Sequence, residues 1–176
     1  MSTSGEDWPM RGEADWASMA RSAARAYRSA SSEHESDLQR ELLVFELDGS
    51  AYAIAVERVR EIVRTRELTR VPRAPEWLMG VVALRGEIVE VVDLRRRLGL
   101  PPGRVGRTSR IIVLHGDADG ITGVLVDSVD EVYRIGEEAI RPAQEIDASA
   151  VVEMCPRNGE FVSILAIDRA LEVADG

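Results

Sequence analysis

The 176-residue sequence contains no lysine: all 22 of its basic residues are arginine. Arginine stays protonated and is no nucleophile, so phosphate loops ending in Gly-Lys-Ser/Thr, Schiff-base enzymes and phosphoacceptor domains that need a lysine amine are excluded. A single cysteine, Cys155, rules out an intrachain disulfide and fits a reducing interior. There are two histidines, His34 in a polar stretch and His115 at a strand end, and neither has a ligand set nearby. No metal site and no cofactor are expected. Apolar runs such as Ile111 to Leu114 are too short to cross a bilayer, which takes about 20 residues. The first residues, Met1-Ser-Thr-Ser-Gly-Glu-Asp7, lack the basic and apolar parts of a signal peptide. A net charge of −9 and a pI near 4.8 argue against nucleic acid, whose binding rests on phosphate neutralisation. The expectation is a soluble, cytoplasmic protein.

With 45% apolar and 30% charged residues, the chain can form one compact unit or two small lobes. Charge is unevenly placed: residues 1–40 sum to −2, residues 41–103 to zero and residues 104–176 to −7. Residues 1–40 are rich in Ala, Ser, Arg and Glu. Within them Trp16, Met19, Ala20, Ala23 and Tyr27 follow helical spacing over Asp15 to Ser29. This stretch is either a mostly solvated tail or a docking helix for a partner or anionic surface.

From Glu41 the pattern changes to short strands. Leu42–Leu47 and Ala51–Val56 flank Asp48-Gly49, and Val81–Leu84 and Glu87–Val92 flank Arg85-Gly86, both hairpin arrangements. Asp93 is placed to cap a short helix through Leu94 and Leu98 that stops at Gly99. Strands recur at Ile111–Leu114, Ile121–Val126, Val129–Arg134 and Phe161–Ala166, with Asp117 to Gly120 as a turn and a final short helix from Asp168. Turn signals every 8–12 residues predict small antiparallel barrels or sandwiches, here two lobes sharing a hydrophobic seam.

The residues form no catalytic constellation. Asp117, Asp119 and Gly120 lack the third acid and the glutamate of a calcium loop. Gly103 to Gly106 lacks the spacing and lysine of a phosphate loop. Asp127, Asp130 and Glu131 have no complementary base. For Arg95-Arg96-Arg97 the favoured expectation is that two of the three face water, and Cys155 is expected to pack as a small apolar residue. Arg85 at a hairpin tip, with Gly86 allowing a positive φ and Gly80 at the strand start, could pair with a carboxylate such as Glu61. A solvated turn arginine is the other reading, and the residues alone leave both open.

Gly80-Val-Val-Ala-Leu-Arg-Gly-Glu-Ile-Val-Glu-Val-Val-Asp-Leu-Arg95 resembles the signature of the CheW family of chemotaxis adaptors. Leu43–Leu47 with Tyr52-Ala-Ile54 and Val59–Val63 is similar to the family's opening, and Gly123–Val132 with Ile140-Arg-Pro142 to its second half. The likeness covers about residues 41–173 and leaves residues 1–40 as an extension without a counterpart. It departs from the family pattern at Ala83, in place of Asn, at Glu90, where Pro is common, and at Met154-Cys155, where a glycine often introduces the last hairpin.

The resemblance implies an all-β fold of two five-stranded SH3-like barrels with short helices, and no enzymatic activity. It implies an adaptor that couples chemoreceptors to a histidine kinase, stationed in the cytoplasm at membrane-bound receptor arrays. The partners would be the receptor's cytoplasmic tip, in the groove between the lobes, and the kinase's regulatory domain, on the lobe faces. Val59, Glu61, Gly80 and Arg85 would face the receptor, whose apolar side chains would enter the seam while Arg85 and Glu61 set register. Gly86 and Asp93 would be turn and structural positions. The alternatives are a scaffold for a non-flagellar motility or developmental kinase pathway, and a small-ligand sensor that uses the seam as its pocket.

Overall fold

The computed structural model describes residues 38–116, 120–144 and 150–172. The helix expected over Asp15–Ser29, His34, and Asp117 and Asp119 of the expected turn lie outside them. Strands dominate because short β-branched runs alternate with tight turns. Their order is β1 (Gln39–Leu47), β2 (Ser50–Ala55), β3 (Val59–Arg64), β4 (Leu78–Leu84), β5 (Glu87–Asp93), β6 (Arg110–His115) and β7 (Ile121–Val126), followed by β8 (Ser128–Gly136), β9 (Arg141–Pro142), β10 (Val151–Arg157) and β11 (Glu160–Leu165). One-turn helices α1 (Leu94–Arg97) and α2 (Ile167–Leu171) follow β5 and β11.

The strands form two sheets, in the orders β8-β1-β2-β11-β10-β9 and β3-β6-β7-β5-β4. Two sheets with few helices are thus as expected. The first sheet has six strands instead of five, through the two-residue β9 at its edge. It is discontinuous in sequence: β11 returns to lie parallel to β2, with Ser163 opposite Tyr52. The second sheet comes from the middle of the chain and holds one parallel pair, β5 with β7.

Period-two alternation sorts the core into three parts. On β1, Leu42 and Val44 point into a cluster confined to the first sheet, with Cys155, Val162 and Ile164. Leu43, Phe45 and Leu47 point the other way, into a cluster shared with Ile112, Leu114, Val124 and Val126 of the second sheet. On β6, Ile111 and Val113 face a third cluster that belongs to the second sheet alone, with Val82, Leu84, Val89 and Val91. α2 contributes Ile167 and Ala170 to the shared cluster. The seam between the sheets is therefore filled by side chains, with Val59, Trp77 and Leu98 partly buried at its margin.

Candidate functional site

Three two-residue hairpins share one geometry. Asp48-Gly49, Arg85-Gly86 and Asn158-Gly159 have φ values of 52° and 75°, 51° and 82°, and 51° and 82°. Two successive positive φ values define a type I′ turn, whose twist suits the flanking strands and whose first position favours Asn, Asp or Gly. Asp48 and Asn158 obey that preference. Arg85 does not, and a non-glycine residue without a short polar side chain is strained there by about 1 kcal/mol or more.

Arg85 projects from the β4–β5 tip with 76% of its side chain exposed. Its Nε and Nη2 donate to Oε1 and Oε2 of Glu61 on β3, at 3.3 and 3.4 Å. Glu61 is only 23% exposed, so the carboxylate is the fixed partner and the guanidinium the accessible one. Beside it Arg60 pairs with Glu87 at 2.6 Å. Exposed pairs contribute about 0–1 kcal/mol, so these orient a surface more than they stabilise it.

The other expected site residues are placed differently. Val59 is half-buried against the shared cluster, and a bulge between Val59 and Glu61 separates it in register from Glu61. Gly80 is buried, at φ 144° beside a bulge at Met79, where a Cβ would stand 2.5 Å from the Thr69 carbonyl oxygen. Thr69 and Val81 exchange backbone hydrogen bonds of 2.9 and 2.8 Å there, which covers the outer edge of β4. Gly80 thus admits the covering segment and offers the surface no side chain. Gly86 completes the turn, and Asp93 is the N-cap of α1, accepting from the Arg95 and Arg96 N–H groups at 3.0 and 3.4 Å.

Residues 41–175 match the model of the CheW-like domain. The chain is 36% identical over 104 residues to the chemotaxis protein CheW of Bacillus subtilis, covering 59% of this chain and 66% of that one. It is 30% identical over 133 residues to a probable chemotaxis protein CheW of Rhizobium etli, covering 75% and 81%. The crystal structure of the scaffolding protein TtCheW from Thermoanaerobacter tengcongensis superposes with a TM-score of 0.71 at 28% identity, covering 77% of this chain and 94% of that one. The chain belongs to the CheW family. It is a chemotaxis scaffold, an adaptor that couples receptors to a kinase without catalysing a reaction. No helix of its described residues is long and apolar enough to cross a membrane.

In this CheW-like domain, Ala83 lies exposed opposite Ile88, which is 75% exposed. The surface next to Arg85 is apolar where the family's asparagine would supply hydrogen bonds. The position of Met154-Cys155 falls inside β10, with Cys155 fully buried, and the last hairpin turns later, at Asn158-Gly159.

The arginine cluster overturns the expectation that two of its members face water. Consecutive residues of a helical turn diverge by 100°, and each finds a partner. Arg95 donates through Nε and Nη2 to Asp127 at 2.9 and 2.5 Å, and through Nη1 to Asp48 and the Pro101 carbonyl at 3.1 Å each. The Asp48 N–H in turn donates to Asp127 at 2.8 Å. Asp127 lies between β7 and β8, and Asp48 ends the β1–β2 hairpin, so this network joins the two sheets. Hydrogen bonding to Asp127, against the opposing effect of burial, raises the Arg95 pKa above its ordinary value. Arg96 pairs with Glu76 at 2.7 Å. Arg97 lies 5.0 Å from the Trp77 ring centre and donates to the carbonyls of Ala170, at 2.7 Å, and Glu172, which caps α2. Asp130 and Glu131 are likewise taken up by Arg157, at 3.4 and 2.8 Å.

Proposed function

We propose that the receptor-facing element of this adaptor is the Arg85 guanidinium, steadied by Glu61 and flanked by the apolar Ala83–Ile88 pair. The observation that carries this is the turn itself. Of three hairpins with one geometry, two use the residues the geometry favours, and the third keeps an arginine at a conformational cost. An exposed fork at a strained tip suits a carboxylate or carbonyl on a receptor tip. Because the seam is packed, the receptor meets its rim, where Val59 lies half-buried, and does not enter it. Gly80 acts indirectly, by holding β4 against the Thr69 segment. The kinase's regulatory domain occupies other faces of the lobes, and cytoplasmic receptor arrays supply avidity to contacts that are individually modest.

Arg85→Asn separates function from folding. Asparagine suits the turn, so the melting temperature is expected to hold or rise by a few degrees, about 0.5–1 kcal/mol. Receptor binding and receptor-coupled kinase activity, measured in reconstituted assemblies, are expected to fall by about tenfold or more. A stable Arg85→Asn protein with full coupling would overturn the assignment. Glu61→Arg is expected to weaken receptor binding in the same assay.

A further inference from the structure

The second sheet is basic although the chain is acidic. Residues 56–116 and 120–126, which build it, hold 13 arginines and 7 acids; residues 38–55, 127–144 and 150–172, which build the first, hold 5 and 12. The excess gathers at one end of β3. Arg64, its last residue, stands opposite Arg110, the first of β6. Like charges facing across antiparallel strands are destabilising. Among the described residues no carboxylate relieves this pair, and the Arg110 guanidinium is held by the carbonyls of Arg107, Thr108 and Ser109 at 2.8, 3.0 and 2.8 Å. Arg66 and Arg107 are exposed and, among the described residues, also without a carboxylate partner. Glu67 is the single acid from Ile62 to Pro75, and Leu94 to Gly116 contains none.

These charges form a strip. β3 is an edge strand whose exposed residues alternate as Arg60, Ile62 and Arg64, and the alternation continues to Arg66. Same-side residues of a strand recur at about 6.5–7 Å, the spacing of carboxylates on alternate residues of an extended chain. Arg60, paired with Glu87, lies beside the proposed receptor contact, but the free charges of the strip are distinct from it: Arg64 shares its side of the sheet with Ile112 and the shared cluster, whereas Glu61 faces with Val113 and the opposite one.

We infer that Arg64 and Arg66, together with Arg107, whose carbonyl accepts from the Arg110 that stands opposite Arg64, dock an extended acidic segment of a partner protein along the β3 edge. Guanidinium forks match carboxylates in geometry as well as charge. Three free charges are few for duplex phosphate to overcome a chain of net −9, and one exposed isoleucine, Ile62, gives a bilayer little to bury.

The test uses the full chain and a fluorescent peptide of about twelve residues alternating Glu and Thr, read by anisotropy. Binding is expected to weaken with salt, to fall at least about tenfold in Arg64→Glu/Arg66→Glu, and to be unaffected by Arg169→Glu, a charge elsewhere on the surface. The melting temperature of the double variant is expected to hold or rise, since repulsion from Arg110 is relieved; the Arg64→Gln/Arg66→Gln variant gives the same reading should the double glutamate misfold. No binding by the unmodified chain, or equal loss in Arg169→Glu, overturns the inference. So does tighter binding of anionic vesicles or duplex DNA through the same arginines, or self-association of the chain that the double variant abolishes.

Discussion

Asp127→Ala tests whether the two sheets are clasped by charge as well as by their shared core. The carboxylate accepts from the Arg95 Nε and Nη2 and from the Asp48 N–H, and the side chains of Arg95 and Asp127 are 15% and 27% exposed. Breaking a fully buried pair costs about 3–5 kcal/mol, and breaking an exposed one about 0–1. This site lies between those limits, and Asp48 and the Pro101 carbonyl still hold the Arg95 Nη1 after the change. The expected loss is therefore about 2 kcal/mol, or roughly 7 °C in melting temperature for a domain of this size. Urea denaturation followed by circular dichroism, with calorimetry alongside, measures both. Asp127→Asn, which can still accept from Asp48, is expected to lose about half as much. Arg134→Ala removes a pair with Glu41 that is largely solvent-exposed and is expected to stay within about 0.5 kcal/mol of the parent. The Arg95→Met/Asp127→Leu double variant is expected to be more stable than either single change, because it leaves no uncompensated charge. An Asp127→Ala loss no larger than that of Arg134→Ala would refute the clasp.

Two further outcomes follow from the backbone and the core. Gly80→Ala, which sets a Cβ against the Thr69 carbonyl, is expected to cost about 2–4 kcal/mol by urea denaturation, against about 1 kcal/mol for Gly86→Ala at an open tip; equal costs would refute the close-approach reading. Burial raises the Cys155 thiol pKa, so the unfolded chain releases its proton first: this contribution is complete below the ordinary thiol value of about 8.5 and is lost as pH rises beyond it. Melts between about pH 7 and 10 are expected to decline less steeply in Cys155→Ala, and parallel declines would exclude the thiol as a cause.

Much of the fold was legible because local chemistry and global pairing agree. Asp48-Gly49 and Arg85-Gly86 fix their hairpins, and the strands on either side are short, mostly apolar runs. β10 is hidden in the sequence although Asn158-Gly159 is as strong a turn signal, because Pro156 and the polar Glu153 and Arg157 blur the run before it. β3 is hidden because Arg60, Ile62 and Arg64 occupy its exposed positions, which gives an edge strand no polar-apolar contrast. The Glu61–Arg85 pair could be proposed from residue types, and the turn strain that separates it from a solvated arginine needed backbone angles. The Arg95 clasp was illegible for a different reason. Its partners lie 47 and 32 positions away, and only the packing of one sheet on the other brings them together.

The same packing reassigns the charge. Divided along the chain, the middle third is neutral and the last third acidic, which suggests one surface of mixed sign followed by one of negative sign. The parallel return of β11 to β2 breaks that division, because it gathers the acidic C-terminal strands with β1 and β2 and leaves β6 and β7, with the arginines that precede them, in the other sheet. One lobe is therefore acidic and the other basic, joined across an apolar core by an ionic network that uses one charge from the basic lobe. A partner approaching the chain meets a sign set by topology, not by sequence position. The two lobes therefore present surfaces of opposite polarity on either side of one apolar core.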